Sequence, residues 1–467
     1  MINRSIEQLT QMIQLKNDVS EYHHVRINGV AFDTRLIKPG NLFVPLKGEQ
    51  ADGHDYVDKA LVQGASAVLW QKDMPNPPEN TAVLMVEDTL LALQQLAKSY
   101  LDQLNVKVIG ITGSNGKTTT KDIAAAVFAQ KYKVHKTEGN FNNHIGLPIT
   151  VLTMPEETEV AILEMGMSQK GEISVLTKIA RPDVAIITNI GEAHLQDLGS
   201  RQGIAEAKLE ILEGLKDNGL FIYPGDEPLL ANVDAPHSFT FGETANNEFY
   251  PVDIQMDEQG SSFSVPALSE SSFYLPIAGK HNILNSLAVL LAARKLSISI
   301  ESMKAGLKSV ALSSMRMEWH DGVKNTKILN DAYNASPTSM KAVISMLESL
   351  NVERDKVVVL GDMLELGDQE INFHVQIGEL INPENIKYVF TFGPLAQHIA
   401  AGARNNFPEN RVFAYTDKSE LITTLHDKIS GNELILVKAS RGMKLEEVVN
   451  SFVMEKYFPN SSQHNLG

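Results

Sequence analysis

Residues 110–122 read GITGSNGKTTTKD, and no other stretch limits the possible folds of this chain so strongly. An apolar strand, VKVIGIT, runs straight into TGSNGKTTT and then into an amphipathic helix, where Ile123/Val127 and Ala124/Phe128 recur at i,i+4 spacing. Small residues between a buried strand and a helix N-terminus let the backbone curl around a phosphate. The helix end supplies N–H donors and Lys117 adds a full positive charge. Thr118 is placed to ligate Mg²⁺ through its hydroxyl. The spelling departs from the usual phosphate loop. Counting back from Gly116-Lys117-Thr118, the first-glycine position holds Ile111, while Gly110 sits one place early and Gly113 falls inside the loop. This spacing points to a particular subclass of loop. A Gly/Ser/Asn turn that merely caps a helix is the plainer alternative, and the Lys-Thr pair in a strand–helix setting speaks against it.

Around this loop the chain divides into three textures. Residues 1–86 read as a small mixed α/β unit, with YVDKALVQGASAVLW as a helix followed by a strand. Residues 87–313 alternate strand, turn and helix, and EVAILEMG and DVAIITNIG are near-continuous apolar strands of the kind a parallel sheet buries on both faces. YPVDIQMDEQGSSFSV changes rhythm to a period of two around a Gly turn and predicts a hairpin at an antiparallel edge of that sheet. From 314 to 467 the alternation starts afresh with TKILNDAYN, DKVVVLGD, KYVFTFG and ELILVKASRG, a second Rossmann-like α/β sheet whose strands end in small or polar residues, where such sheets bind ligands. The expected fold class is therefore α/β in three domains, with a mostly parallel central sheet of the P-loop ATPase kind.

Glu164 ends the strand EVAILEM, beside the loop strand, where an acid is the usual second contributor to a magnesium site. A strand-end carboxylate in solvent is the alternative. His194 follows the next strand, in TNIGEAHL, a position where a lone histidine is more often structural. The 467 residues carry a formal charge of −16, which argues against sequence-blind nucleic-acid binding but not against a polyanionic small substrate held by a few cations and helix ends. Cysteine is absent, so disulfides and thiolate metal sites are excluded. No apolar run reaches the ~18 residues of a membrane span, and no export signal is evident, so a cytoplasmic location is expected.

Taken together, TGSNGKTTT, TEGNFNNHIGLP, EMGMSQKGEI, TNIGEAHL, GKHNILNSLAV and NDAYNASPTSM resemble, in this order, the Mur ligases, the ATP-dependent amide-forming enzymes of peptidoglycan precursor synthesis. GNFNNHIGLP, DAYNASPTSM and VVVLGDMLELGDQE are most similar to the branch that adds D-alanyl-D-alanine to UDP-N-acetylmuramoyl-tripeptide. FDTRLIKPGNLFVPLKG resembles that branch's uridine-nucleotide-binding domain. The resemblance covers essentially the whole chain.

It implies ATP and two Mg²⁺ ions, two small-molecule substrates, no nucleic acid and no membrane span, and a monomer. It implies that Lys117 holds the transferring phosphate, that Gly113, Ser114, Asn115, Gly116 and Thr119 form the loop, and that Thr118, Glu164 and His194 serve the metals. Asn282 and Asn285 match positions beside the adenine, although an Asn at a helix start is equally explained as an N-cap. Arg316 and Asp331 match residues that reach the nucleotide when the C-terminal domain closes. Asp33, Thr34 and Arg35 match an element near the UDP end of the substrate, and Asn140, Asn142 and Asn143 the segment lining its sugar-peptide part. Asn334, Ser336 and the GDMLELG loop around Asp362 would surround the incoming dipeptide, with turn residues as the alternative. Lys208, in EAKLEILEGL, matches a family lysine carbamylated by CO₂. On its face it is one lysine on a solvated helix surface, yet Ala205, Ala207 and Leu209 give it small, apolar company.

Making an amide from a carboxylate requires turning an oxygen into a leaving group, which needs charge stabilisation more than a protein nucleophile. Lys117, Arg316, Thr118, Glu164 and His194 suit that chemistry. The competing readings are a sister ligase (folylpolyglutamate synthase or the enzyme adding the third peptide residue), a P-loop switch, and a non-catalytic nucleotide-binding module.

Overall fold

The computed structural model describes residues 1–48 and 50–453, so the end of the expected 314–467 unit lies outside the described residues. Its centre is a six-stranded, wholly parallel sheet. The loop strand Lys107–Thr112 lies in the middle, between Val184–Ile187 and Val160–Glu164. All three strands are buried almost throughout, and this is why they read as unbroken apolar runs. The register sets Glu164 opposite Ile111 and Ile187 opposite Thr112, so the acid of one neighbour and the polar end of the other flank the loop. Helix Lys117–Phe128 follows and buries Ile123, Ala124, Val127 and Phe128 against the sheet.

The N-terminal part carries a four-stranded parallel sheet ending in Ala67–Gln71 and Ala82–Val86. The helix Thr89–Asp102 then packs on helices Gly146–Thr153 and Glu172–Ala180 of the central part, so one apolar core runs through both. A second six-stranded sheet occupies the C-terminal part: Lys327–Asn330, Glu433–Lys438, Asp355–Gly361, Tyr388–Phe392 and Val412–Tyr415 run parallel, and Glu318–Asp321 adds an antiparallel edge.

One expectation is corrected. Val252–Asp257 and Gly260–Val265 do form a hairpin, but they join Ser269–Leu275 in a separate three-stranded sheet and do not edge the central one. Alternation buries one face only, and here that face, with Phe263, Val265 and Phe273, packs against the helical side of the central part. No helix among the described residues is long and apolar enough to cross a membrane.

Candidate active site

The strand ends of the two large sheets converge on one cleft of about 750 Å³, lined by the loop from Ser114 to Thr119 on one side and by Arg316, Asp331, Tyr333, Asn334 and Lys438 on the other. The loop's glycines are dictated by contact. A Cβ at Gly113 (φ +150°) would lie 1.8 Å from Thr188 Oγ1, and one at Gly116 (φ +79°) 2.7 Å from Asn285 Oδ1. Asn285 therefore packs on the loop. Asn282 donates from Nδ2 to Ala278 O (2.8 Å), and the helix Lys280–Lys295 is capped by Gly279, so neither asparagine is an N-cap. The loop is held from the side by Thr188, whose hydroxyl donates to Asn115 O. Asn189 Oδ1 accepts from Asn115 N–H (2.9 Å).

Lys117 Nζ donates to Gly113 O at 2.7 Å, and burial holds its ammonium below the ordinary lysine range, with the Glu164 charge opposing and the Arg316 charge assisting. Glu164 is buried. Its Oε1 accepts from Asn142 Nδ2 (2.8 Å), while Oε2 has no hydrogen-bond partner. Ser114 Oγ, Asn115 Nδ2 and Arg316 Nε, around the same loop, are also buried without partners. Native interiors leave few such groups. Three donors or hydroxyls and one carboxylate oxygen, gathered at a helix N-terminus, suit a phosphate chain with a bound cation. Among the described residues no cluster of three or more His, Asp or Glu side chains is poised to hold a metal. A cation here would take Glu164, the Thr118 hydroxyl and ligand oxygens, which is how Mg²⁺ is ordinarily held.

His194 lines the cleft, with burial lowering its pKa. Its Nδ1 lies 2.7 Å from Glu365 Oε2, a carboxylate of the GDMLELG loop. Lys208 is 1% exposed, on helix Arg201–Leu209, and burial followed by the charge of Lys117 pushes its pKa well below that of a free lysine. The solvated-surface reading of Lys208 is thereby excluded.

Across the cleft, Arg316 Nη2 donates to Thr118 Oγ1 (3.4 Å) and its guanidinium lies 4.0 Å above the Tyr333 ring. Asp331 pairs with Lys438, which also donates to Asn334 O (3.0 Å). Ser336 is the N-cap of helix Pro337–Ser349 and donates to Asn115 Oδ1 (3.0 Å). Beside it, Thr338 N–H and Oγ1 both donate to Glu192 Oε2 (3.1 and 2.7 Å). Asn140, Asn142, Asn143, Thr119 and Asn334 line the cleft. Ser336 acts through the loop instead, as a cap. Asp362 is buried, accepts Ala396 N–H (2.7 Å) and does not face the cleft. Gly393 packs against its carboxylate, which anchors the start of helix Ala396–Ala403.

Asp33, Thr34 and Arg35 stand apart. Asp33 caps the short helix Thr34–Leu36 and pairs with the exposed Arg35. Their chain neighbours Phe32 and Leu36 line another, largely apolar cavity of about 330 Å³, facing Phe141, Ile149, Thr150 and Thr153. Phe32 and Phe141 meet edge-to-face at 6.4 Å, which ties this cavity to the asparagine segment of the main cleft. Sequence reasoning passed over His281, a cleft residue whose pKa burial lowers to about 4, as well as Thr188, Asn189, Glu192 and Lys438. The first of these sits inside the quoted HNILN motif. Thr188 and Asn189 lie at the end of a strand adjacent to the loop, a position that could have marked them.

A phosphate loop on one parallel sheet, facing a cationic strand edge of a second, defines a multidomain P-loop enzyme. Three family models match the chain: the "Mur ligase family, catalytic domain" over residues 26–101, the "Mur ligase middle domain" over 111–293, and the "Mur ligase, glutamate ligase domain" over 315–441. The chain is 51% identical over 453 residues, 97% of its length and 99% of the relative's, to the UDP-N-acetylmuramoyl-tripeptide–D-alanyl-D-alanine ligase of Bacillus subtilis (strain 168). Its fold matches the crystal structure of MurF from Acinetobacter baumannii with a TM-score of 0.87 at 29% identity, covering 96% of this chain and 98% of that one. The Thermotoga maritima MurF ligase, solved in complex with ADP, matches with a TM-score of 0.81 at 30% identity over 91% and 96% of the two chains. This chain belongs to the Mur ligase family.

Proposed function

We infer that this protein is an ATP-dependent, ADP-forming ligase that joins D-alanyl-D-alanine to UDP-N-acetylmuramoyl-tripeptide, giving the UDP-muramoyl-pentapeptide precursor of peptidoglycan. The observation that carries this reading is the full-length 51% identity to a ligase of that specificity, in a chain whose phosphate loop faces Arg316 and Asn334. The tripeptide's terminal carboxylate oxygen attacks the γ-phosphorus of ATP and ADP leaves. The amine of the dipeptide then attacks the acyl phosphate, a tetrahedral species collapses, and phosphate departs as the amide forms. Lys117 and Arg316 stabilise the charge that develops on the transferring group. Glu164, Thr118, His194 and a carbamylated Lys208 would hold two Mg²⁺ ions, which neutralise phosphate charge. Residues 1–86 would receive the uridine nucleotide beside Asp33, Thr34 and Arg35, 87–313 the ATP, and 314–467 the dipeptide. The enzyme would work as a cytoplasmic monomer.

The test is ADP release. It should require both UDP-muramoyl-tripeptide and D-Ala-D-Ala. Release with a folate substrate, with a different amino acid, or with neither acceptor present would instead favour a sister ligase or a switch. Asn334→Ala is expected to raise the KM for D-Ala-D-Ala by about 10-fold or more, the scale of one lost polar contact to a charged group, and to leave that for ATP within ~2-fold. Equal effects on both would reduce Asn334 to a turn residue.

A further inference from the structure

On the loop helix, Asp122 lies one turn beyond Thr118, so the two side chains share a face. Asp122 is 3% exposed, and nothing in the chemistry above uses it. Its Oδ1 accepts from Lys136 Nζ at 2.7 Å, with Lys121 Nζ 3.8 Å away. Its Oδ2 accepts both the backbone N–H (2.9 Å) and the hydroxyl (2.8 Å) of Ser313. Ser313 lies 191 residues further along the chain, in the segment leading from helix Ile300–Lys308 to the C-terminal sheet.

Three residues beyond Ser313 comes Arg316, flanked by Met315 (φ 57°) and Met317 (φ 49°), both in the left-handed region that side chains other than glycine seldom adopt. Such a backbone persists only where its surroundings impose it. The far end of the segment is held: Met315 N–H donates to Glu318 Oε2 (2.8 Å) and Met317 N–H to Asp331 Oδ1 (3.2 Å). The near end is held by Asp122.

We propose that Asp122 is a positioning residue: it clamps Ser313 to the phosphate-loop helix, so that Arg316 is aimed from the same rigid element that carries Lys117 and Thr118. The clamp spans the junction between the central and C-terminal parts. Arg316 is thus tied on its near side to the helix that carries Lys117 and Thr118, and on its far side to Glu318 and Asp331 of the C-terminal part. Two hydrogen bonds to one buried carboxylate oxygen fix this register, while Lys136 balances the charge on the other oxygen.

This inference rests on the reading of Arg316 as a phosphate contact. The unmodified protein is assayed first: if it releases no ADP with both substrates, the proposed function has failed and not the clamp. Asp122→Ala is expected to lower kcat about 10²-fold, the scale of a ~1 Å misplacement of a catalytic group, with the KM for UDP-tripeptide nearly unchanged. Asp122→Asn keeps one oxygen for both Ser313 donors but turns an amide NH2 toward Lys136, so it should recover part of the loss and stay within about 10-fold of the parent. The deciding measurement is a double-mutant cycle with Arg316→Ala. A clamp that acts through Arg316 makes the two losses strongly non-additive, because once the guanidinium is gone its aim no longer matters. Losses that multiply in the double variant, or an Asn variant as poor as the Ala variant, overturn the proposal. If Asp122→Ala shows no cooperative melting transition, Ser313→Ala replaces it in the cycle. It removes only the hydroxyl bond, and a loss of about 3–10-fold with the same non-additivity is expected.

Discussion

Lys117→Ala is expected to slow phosphoryl transfer by about 10²–10³-fold, or ~3–4 kcal/mol, the usual consequence of removing one preorganised charge from a developing phosphoryl transition state. Burial already holds the ammonium below the ordinary lysine range, the Glu164 charge opposing and the Arg316 charge assisting, so both charges act on it from within the cleft. Its donation to Gly113 O holds the loop curled. Binding of UDP-tripeptide should survive, since Asp33–Arg35, proposed for its uridine end, lie outside the cleft that holds Lys117. Single-turnover ADP release alongside calorimetric binding of the UDP-tripeptide separates the two effects. Near-normal turnover in the variant would remove the loop from the reaction.

Lys208→Ala is expected to lower kcat by about 10²-fold, as loss of a group supporting a metal typically does, with partial rescue by added short carboxylates. Carbamylation needs the neutral amine, and neutralising an ordinary lysine at pH 7 costs about 4.6 kcal/mol. Here burial, followed by the nearby charge of Lys117, has already moved the amine toward its neutral form. The pKa is lowered in the fold, so the fold itself favours a deprotonated Lys208 at pH values where an unfolded chain would hold it charged. A carbamate there would turn that liability into an oxygen ligand. Labelling the unmodified protein with ¹³C-bicarbonate should give a carbamate resonance that Lys208→Ala lacks. A silent spectrum together with a fully active variant would falsify the assignment.

The loop and its flanking strands were legible because burial on both faces leaves an unbroken apolar signature, and because the glycines at 113 and 116 answer to backbone geometry and contact that other residues cannot meet. Glu164 could be placed by the same logic, as the end of the next strand. The long-range pairings around the cleft were not legible. Asp122 with Ser313, Glu192 with Thr338 and Lys438 with Asp331 join residues 191, 146 and 107 positions apart, and nothing local in either partner records the other. Asp362 illustrates the opposite error: a polar residue after a strand reads as a ligand contact, yet here it caps a helix. The small sheet was half legible, since alternation announces a hairpin and says nothing of its third strand.

The bond from Ser336 to Asn115 brings the tip of one helix onto the phosphate loop, and those from Thr338 to Glu192 fasten it to the segment after the neighbouring strand. They make the reaction chamber a seam and not a pit. An acyl phosphate formed in a seam is exposed to hydrolysis whenever the two faces part before the amine has attacked. The fidelity of coupling, counted as peptide bonds made per ATP consumed, would then depend on how long a handful of hydroxyl and carboxylate contacts keep the faces together. Selection for thrift would act on Ser336, Thr338 and Glu192, side chains that need never touch the reacting carbon.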